Sequence, residues 1–154
     1  MRRPAGCKLF FAAVTLFLAV GFAGQVFADD IILNDLQSGS VNIPVAGKPC
    51  VLLFWTTWCP YCRSELKALN KLYPGMEKEG VAVFAVNVGE AGQKVERFLK
   101  SQALELKVFL DKKGKAADNY EVMGVPTYIL LNKSGKVVSV EHSFPEDYKS
   151  ILSE

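Results

Sequence analysis

Residues 54–62 of the chain are Phe54-Trp55-Thr56-Thr57-Trp58-Cys59-Pro60-Tyr61-Cys62. The first two of them end an apolar run that begins at Val51. A pattern typical of an amphipathic helix comes next, because apolar side chains recur every three or four residues; they are Leu66, Leu69, Leu72, Tyr73 and Met76. Two cysteines at positions i and i+3 lie on one face of a first helical turn, close enough to form a disulfide. The stretch therefore predicts a strand-to-helix turn that carries a redox-active cysteine pair.

Cys59 is the expected nucleophile of this pair. The N-terminus of a helix carries roughly half a positive elementary charge, which stabilises a thiolate beside it. Stabilising the thiolate lowers the pKa of the thiol and makes it more reactive at neutral pH. Cys59 lies at the start of the predicted helix, exposed at the turn, whereas Cys62 lies one turn inside it and should be less accessible.

Length and composition indicate one globular domain. The chain has 154 residues, of which 50% are hydrophobic, and this is enough for a packed core. The formal net charge is +2, but Arg2, Arg3 and Lys8 lie in the first 28 residues, which contain no acidic residue, so the remainder carries a net charge of −1. A nucleic-acid-binding surface needs clustered basic residues, and we therefore expect no nucleic-acid partner.

Residues 1–28 have the features of an export segment. Arg2, Arg3 and Lys8 precede an apolar run that starts at Leu9, and Ala28 ends it with a small residue suited to signal-peptide cleavage. The run is about as long as the ~20 residues that span a bilayer, so an uncleaved membrane anchor is the alternative. Because the basic residues hold the N-terminus inside, both interpretations place the predicted folded domain, residues 29–154, outside the cytoplasm.

Predicted strands and helices alternate along the rest of the chain. The predicted strands are Ile31–Leu36, Ser40–Ile43, Cys50–Trp55, Val81–Val88, Leu106–Leu110, Thr127–Leu131 and Lys136–Val140. Predicted helices follow Cys62, cover Gln93–Gln102 and Ala116–Tyr120, and close the chain from Ser143, where Glu146 would complete a capping box. Pro74 should kink or end the first helix before Glu79. This order predicts an α/β sandwich: a central mixed β-sheet flanked by helices, with an N-terminal β-hairpin. The strands before and after the first helix should be parallel.

The motifs around the cysteine pair resemble those of the thioredoxin superfamily, in particular its exported TlpA/ResA branch of thiol-disulfide oxidoreductases. The resemblance rests on Phe54-Trp55-x-x-Trp58-Cys59-x-x-Cys62 and on the distant Gly124-Val125-Pro126-Thr127, and it extends over residues 31 to about 145. It implies a thioredoxin-like fold and disulfide exchange with protein substrates, with no cofactor besides a Cys59–Cys62 disulfide. Cys59 would attack the substrate disulfide and Cys62 would resolve the mixed disulfide. A purely structural disulfide is the alternative, but so short a loop removes little chain entropy.

The same resemblance implies a cis peptide bond between Val125 and Pro126, packed against the cysteine pair. A cis turn would leave the backbone of Val125 free to pair with an extended substrate whose disulfide meets Cys59. We therefore assign Val125 and Pro126 to the substrate-binding surface. We add Trp58, Pro60 and Tyr61, which are neighbours of Cys59 in the sequence.

Glu65 is the third candidate catalytic residue. It lies one helical turn after Cys62 on the apolar side of the helix, where desolvation should raise the pKa of its carboxyl group. It could then exchange a proton with Cys62, and the resemblance implies a functional glutamate at this spacing. A surface glutamate paired with a basic residue is the alternative, although the i+3 and i+4 positions are Ala68 and Leu69. Ordinary thioredoxins carry a buried aspartate six residues before the first cysteine, where this chain has Leu53, and Glu65 is a candidate replacement.

Other cysteine chemistry fits the sequence less well. Haem attachment needs a histidine after the second cysteine, where this chain has Arg63. A structural zinc site needs four ligands. Besides the cysteine pair, the exported chain contains only Cys50 and His142 as further cysteine or histidine ligands. We expect Cys50 to be a buried, inert thiol and His142 to be a surface residue. Peroxiredoxins place a proline four residues before the threonine of Thr-x-x-Cys, where this chain has Leu52. We expect no metal site, and a non-catalytic module that grips Cu(I) through the cysteine pair is the alternative from another class.

The leading interpretation is an extracytoplasmic reductase of protein disulfides, in the periplasm or on the outer face of the cytoplasmic membrane, that receives electrons from a membrane donor. The best-known substrates of the branch that the chain resembles are the Cys-x-x-Cys-His segments of apocytochrome c, so the resemblance implies a role in cytochrome c maturation. A disulfide oxidant or isomerase of secreted proteins is the alternative within the class.

Overall fold

A computed structural model describes residues 30–154 of the chain. The predicted signal peptide or membrane anchor, residues 1–28, lies outside the described residues. None of the helices in the described part is both long and apolar enough to cross a membrane.

Within residues 30–154 the strands form one seven-stranded mixed sheet in the order β2-β1-β5-β4-β3-β6-β7. The strands are β1 Ile31–Asp35, β2 Ser40–Ile43, β3 Cys50–Trp55, β4 Ala82–Val88, β5 Val108–Asp111, β6 Thr127–Leu131 and β7 Val137–Glu141. The helices are α1 Pro60–Lys78, α2 Gly92–Lys100, α3 Lys115–Asn119 and α4 Tyr148–Leu152. This arrangement confirms the predicted α/β sandwich with its N-terminal β-hairpin.

Strand β3 is an interior strand of the sheet, as its continuous apolar sequence predicts. It pairs in parallel with β4 and antiparallel with β6, and all six of its residues are buried. Alternate side chains face opposite sides of a strand, so Leu53 and Trp55 join the core on one face while Leu52 and Phe54 join the core on the other. Helix α1 packs on the first of these faces, and β3 therefore fixes where α1 begins.

Helices cover both faces of the sheet. The first face is covered by α1, α2 and α4, which contribute Leu66, Val95 and Leu152 to its core. The second face is covered by α3, through Ala116 and Ala117, and Leu33 and Ile43 of the N-terminal hairpin join the core on this face. The β3–α1 junction lies on the first face, beside α2, whose Phe98 ring contacts Trp55 and Arg63.

Helix α1 continues through Pro74 and ends at Lys78, directly before Glu79 as predicted. The structure departs from the predicted helices at the end of the chain. The last helix begins at Tyr148, so the predicted capping box from Ser143 to Glu146 is wrong. The physical reason lies in α1: the backbone N–H of Phe144 donates to the Glu65 carboxylate at 3.3 Å, which fixes the preceding segment in a non-helical conformation.

Candidate active site

Cys59 is the N-cap of α1. Its backbone N–H donates to the carbonyl oxygen of Thr56 at 3.4 Å, closing a turn at the end of β3. Its side-chain sulfur accepts a hydrogen bond from the backbone N–H of Cys62 at 3.1 Å. An amide of the first helical turn, which has no intrahelical acceptor, thus points at the sulfur, where it would stabilise a thiolate in the reduced protein.

The two cysteines form a disulfide, with their Cα atoms 5.3 Å apart. Cys62 is completely buried and Cys59 is 4% exposed. The predicted order of accessibility therefore holds, but the expectation that Cys59 is openly exposed is wrong for this oxidised form. The reason is that its sulfur lies between Cys62 and the loop before β6.

That loop carries Val125 and Pro126, which are joined by a cis peptide bond as predicted. The carbonyl oxygen of Val125 is 3.8 Å from the sulfur of Cys59. The Thr127 hydroxyl donates to the carbonyl oxygen of Gly124 at 2.8 Å and closes the loop on itself. Residues 66 positions apart in the chain thus meet at the disulfide.

Exposed apolar side chains are close in sequence to the cysteine pair and to the cis-proline loop. Trp58 is 65% exposed and Tyr61 is 77% exposed, and Pro60 between the cysteines is also exposed. Met123, two residues before Val125, is 97% exposed, and no sequence motif indicated a role for it. Exposed apolar groups of this size are typical of surfaces that bind other molecules.

Glu65 lies half-buried on the inner side of α1, as its helical position predicts. Its Oε2 atom accepts hydrogen bonds from the Tyr128 hydroxyl at 2.9 Å and from the backbone N–H of Phe144 at 3.3 Å. Burial, and then the charge of Glu65 and the hydrogen bond to it, raise the pKa of Tyr128 well above its usual range, so the phenol stays a donor. Tyr128 lies opposite Leu53 in the β3–β6 register. Glu65 therefore reaches the part of the sheet where thioredoxins place their buried aspartate.

Thr57 is held by two side chains, Glu90 and Arg63, for which no sequence motif indicated a place in the site. Glu90, from the turn after β4, accepts from the Thr57 backbone N–H at 2.6 Å and from its hydroxyl at 2.7 Å. Arg63, from the first turn of α1, donates through two guanidinium nitrogens to the Thr57 carbonyl oxygen at 3.0 and 3.2 Å. Because both peptide groups around one Cα atom are bonded, the dihedral angles of Thr57 are fixed, and with them the turn that carries Cys59.

The Glu90 carboxylate is itself fully bonded and largely buried. Asn87 donates to it at 2.8 Å, and Lys94 forms an ion pair with it at 2.7 Å. Burial alone would raise its pKa, but the hydrogen bonds from Lys94, Asn87 and Thr57 outweigh burial and lower the pKa to about 2. Glu90 is therefore an anion throughout the physiological pH range.

The remaining cysteine and the histidine take no part in the disulfide. Cys50 is a free, buried cysteine at the start of β3, and burial raises the pKa of its thiol, as expected of an inert group. His142 is exposed, as predicted, but its ring contacts the cis-proline loop. Among residues 30–154, no group of three or more acidic, histidine or cysteine side chains is arranged to hold a metal ion.

Comparison with known proteins matches residues 25–140 to the AhpC/TSA family. The chain is 37% identical over 114 residues to the thiol-disulfide oxidoreductase ResA of Geobacillus thermodenitrificans, an alignment that covers 73% of this chain and 66% of that protein. It is 32% identical over 141 residues to ResA of Halalkalibacterium halodurans, covering 84% of this chain and 80% of that protein. The crystal structure of StoA from Bacillus subtilis superposes with a TM-score of 0.71 at 27% identity, covering 82% of this chain and 98% of that one.

Proposed function

The chain belongs to the AhpC/TSA family and, within it, to the ResA-type thiol-disulfide oxidoreductases, and we propose that it reduces disulfides of protein substrates outside the cytoplasm. One observation carries this proposal. The sulfur of Cys59 lies next to both the amide that would stabilise its thiolate and the Val125 carbonyl oxygen, at 3.1 and 3.8 Å. An extended substrate paired with the Val125 backbone would therefore bring its disulfide to Cys59.

The proposed cycle starts from the reduced protein. The Cys59 thiolate attacks one sulfur of the substrate disulfide, the substrate S–S bond breaks, and the second substrate sulfur leaves as a thiolate that takes up a proton. Cys62 then loses its proton and attacks Cys59, which releases the first substrate sulfur and forms the Cys59–Cys62 disulfide. The substrate gains two electrons and two protons, and a dithiol donor restores the cysteine pair.

The substrate surface proposed for this cycle consists of Trp58, Pro60, Tyr61, Val125 and Pro126. All five residues flank the cysteine pair or the carbonyl group that touches it, and the aromatic rings are exposed. Aromatic side chains provide a large apolar contact area. Such a surface fits a flexible, unfolded polypeptide, and we propose apocytochrome c with its Cys-x-x-Cys-His segments as the substrate and a membrane dithiol protein as the donor.

Replacing Cys62 with Ala is expected to trap this substrate. The Cys59 thiolate still attacks, but nothing resolves the mixed disulfide, so the partner remains covalently bound. The partners would be captured in cells, separated under non-reducing conditions, released with a reductant and identified by mass spectrometry. Recovery of apocytochrome c supports the proposed substrate.

A variant that also lacks the nucleophile, Cys59→Ala with Cys62→Ala, is the matched control and should capture no partner. Recovery of many secreted proteins without apocytochrome c would instead favour the oxidant or isomerase and would contradict the cytochrome assignment.

We also propose that Glu65 exchanges a proton with Cys62 during resolution. The Tyr128 hydroxyl and the Phe144 N–H hold its carboxylate one helical turn from that cysteine. Glu65→Gln keeps the size of the side chain but removes its acid-base chemistry, so the pH at which Cys62 becomes reactive should shift. The measurement is the pH dependence of Cys62 alkylation in the reduced protein, with Cys59 replaced by Ala.

Glu77→Gln is the control for this experiment. Glu77 lies on the same helix but about 18 Å further along its axis, where it pairs with Lys107, and its replacement should leave the Cys62 profile unchanged. A profile that is the same in the Glu65→Gln variant and in the unmodified protein would remove Glu65 from the mechanism.

A further inference from the structure

His142 is the one histidine in the sequence, and it follows β7 directly. Because β6 and β7 are antiparallel, the end of β7 lies beside the start of β6. Its Nδ1 atom is 3.0 Å from the carbonyl oxygen of Pro126 and 3.3 Å from the hydroxyl oxygen of Thr127. The ring is therefore in contact with the loop that carries the cis peptide bond. No step of the cycle proposed above uses this contact.

Hydrogen-bond chemistry decides which ring nitrogen carries the proton. The Pro126 carbonyl oxygen can only accept a hydrogen bond. The hydroxyl hydrogen of Thr127 is already donated to Gly124, at 2.8 Å, so its oxygen is also an acceptor toward the ring. Nδ1 must therefore be the protonated nitrogen of the neutral imidazole, shared between the two oxygens, and Nε2 carries the lone pair.

We propose that His142 is a positioning residue that fastens the cis-proline turn to the end of β7 and so holds the Val125 backbone in place for the substrate. Pro126 follows Val125 directly, and the Val125 carbonyl oxygen is the group 3.8 Å from Cys59. The Thr127 hydroxyl ties the start of the turn, at Gly124, to the same ring. The functional part of this inference rests on the proposed disulfide exchange; the assignment of the ring proton does not.

The first test is nuclear magnetic resonance of the ring nitrogens in oxidised protein labelled with ¹⁵N. With a single histidine in the sequence, the imidazole signals need no assignment by mutation. In spectra recorded at about pH 8.5, the shifts should identify the neutral form protonated on Nδ1. A form protonated on Nε2 overturns the proposal, whatever the activity of the protein.

The second test compares three substitutions of His142. Asn carries an amide nitrogen one bond from Cγ, as Nδ1 is in histidine, so His142→Asn can keep the donor in place. His142→Gln moves the donor one bond further out, and His142→Ala removes it. We expect the Gln and Ala variants to lose about three- to tenfold in kcat/KM for a protein disulfide such as that of insulin, through KM, the range that one hydrogen bond supplies. The Asn variant should retain most of the activity.

Alkylation of Cys59 by iodoacetamide separates positioning of the substrate from damage to the cysteine pair. This small reagent does not use the Val125 backbone, so its rate should be equal in all four proteins. Equal kcat/KM values in the Ala, Gln and unmodified proteins, or a parallel loss of alkylation, would each overturn the positioning role. If the unmodified protein reduces no disulfide at all, the proposed function fails while the ring-proton result still stands.

Discussion

Replacing Cys59 with Ala is expected to lower the rate of protein-disulfide reduction by at least about a thousandfold, because the nucleophile of the first step is lost. The remaining cysteine of the pair, Cys62, is completely buried and cannot reach a substrate from beneath the turn. The amide that points at the Cys59 sulfur would then have no thiolate to stabilise. The measurement is dithiol-driven reduction of insulin, followed by precipitation of its freed chains.

Cys50→Ala is the matched control, because it also removes one thiol. Cys50 is buried at the opposite end of β3 from the cysteine pair and touches neither Cys59 nor Cys62. We expect its turnover to stay within about twofold of the unmodified protein, with a loss of roughly 1 kcal/mol in the free energy of unfolding. A Cys59→Ala variant that retains a tenth or more of the activity would contradict the assignment of the nucleophile. Metal binding in proportion to protein, without turnover in the unmodified chain, would favour the copper-binding alternative.

Most of the fold could be predicted because its elements are encoded locally. The apolar run of β3 and the helical spacing of Leu66 and Leu69 decide which segments are buried, and buried strands joined by a helix pair in parallel. The final helix was predicted too early because its start depends on a contact that no local pattern contains. Phe144 bonds to Glu65, 79 residues away, and this holds the chain out of the helix until Tyr148.

The candidate site also has a part that local sequence predicts and a part that it does not. The cysteine pair is predicted by its spacing, Glu65 by its position on the helix, and the cis bond before Pro126 by a resemblance that rests on a short motif. The Thr57 contacts and the His142 contact could not be predicted, because they join residues brought together only by the finished sheet. Glu90 is 33 residues from Thr57 and lies in a turn after β4, where a glutamate is usually solvated. The one available hint was its position three residues after Asn87, at the end of a buried strand.

Glu90→Gln is expected to lower the free energy of unfolding by about 3 kcal/mol at neutral pH. Glu90 has a pKa of about 2 in the folded protein, against 4.5 for a free glutamate side chain. A difference of one in pKa between the folded and unfolded protein corresponds to about 1.4 kcal/mol, so ionised Glu90 stabilises the fold by about 3 kcal/mol. A glutamine cannot accept all four donors, and its amide hydrogens would face the buried Thr57 N–H or Asn87. The measurement is urea unfolding of the oxidised protein at a series of pH values.

The pH dependence distinguishes the charge of Glu90 from a general loss of packing. The folded-state pKa lies below the unfolded one, so the unfolded chain binds more protons between the two values. The stabilisation is therefore complete above about pH 4.5 and is lost as the pH falls toward about 2. The difference in stability between Glu90→Gln and the unmodified protein should shrink over that interval, whereas a packing defect would leave it constant.

Glu96→Gln, on the helix α2 that follows the Glu90 turn, provides the matched control. Glu96 also pairs with a lysine four residues later, Lys100 at 3.1 Å, but it is exposed and contacts nothing in the Thr57 turn. Exposed pairs of this kind contribute about 0.3–0.5 kcal/mol, so Glu96→Gln should change the unfolding curve very little at any pH. Equal losses in the two variants would show that Glu90 acts as an ordinary surface charge. A large loss confined to Glu90→Gln would show that the turn before Cys59 is stabilised by a buried carboxylate from the turn after β4, the neighbouring strand.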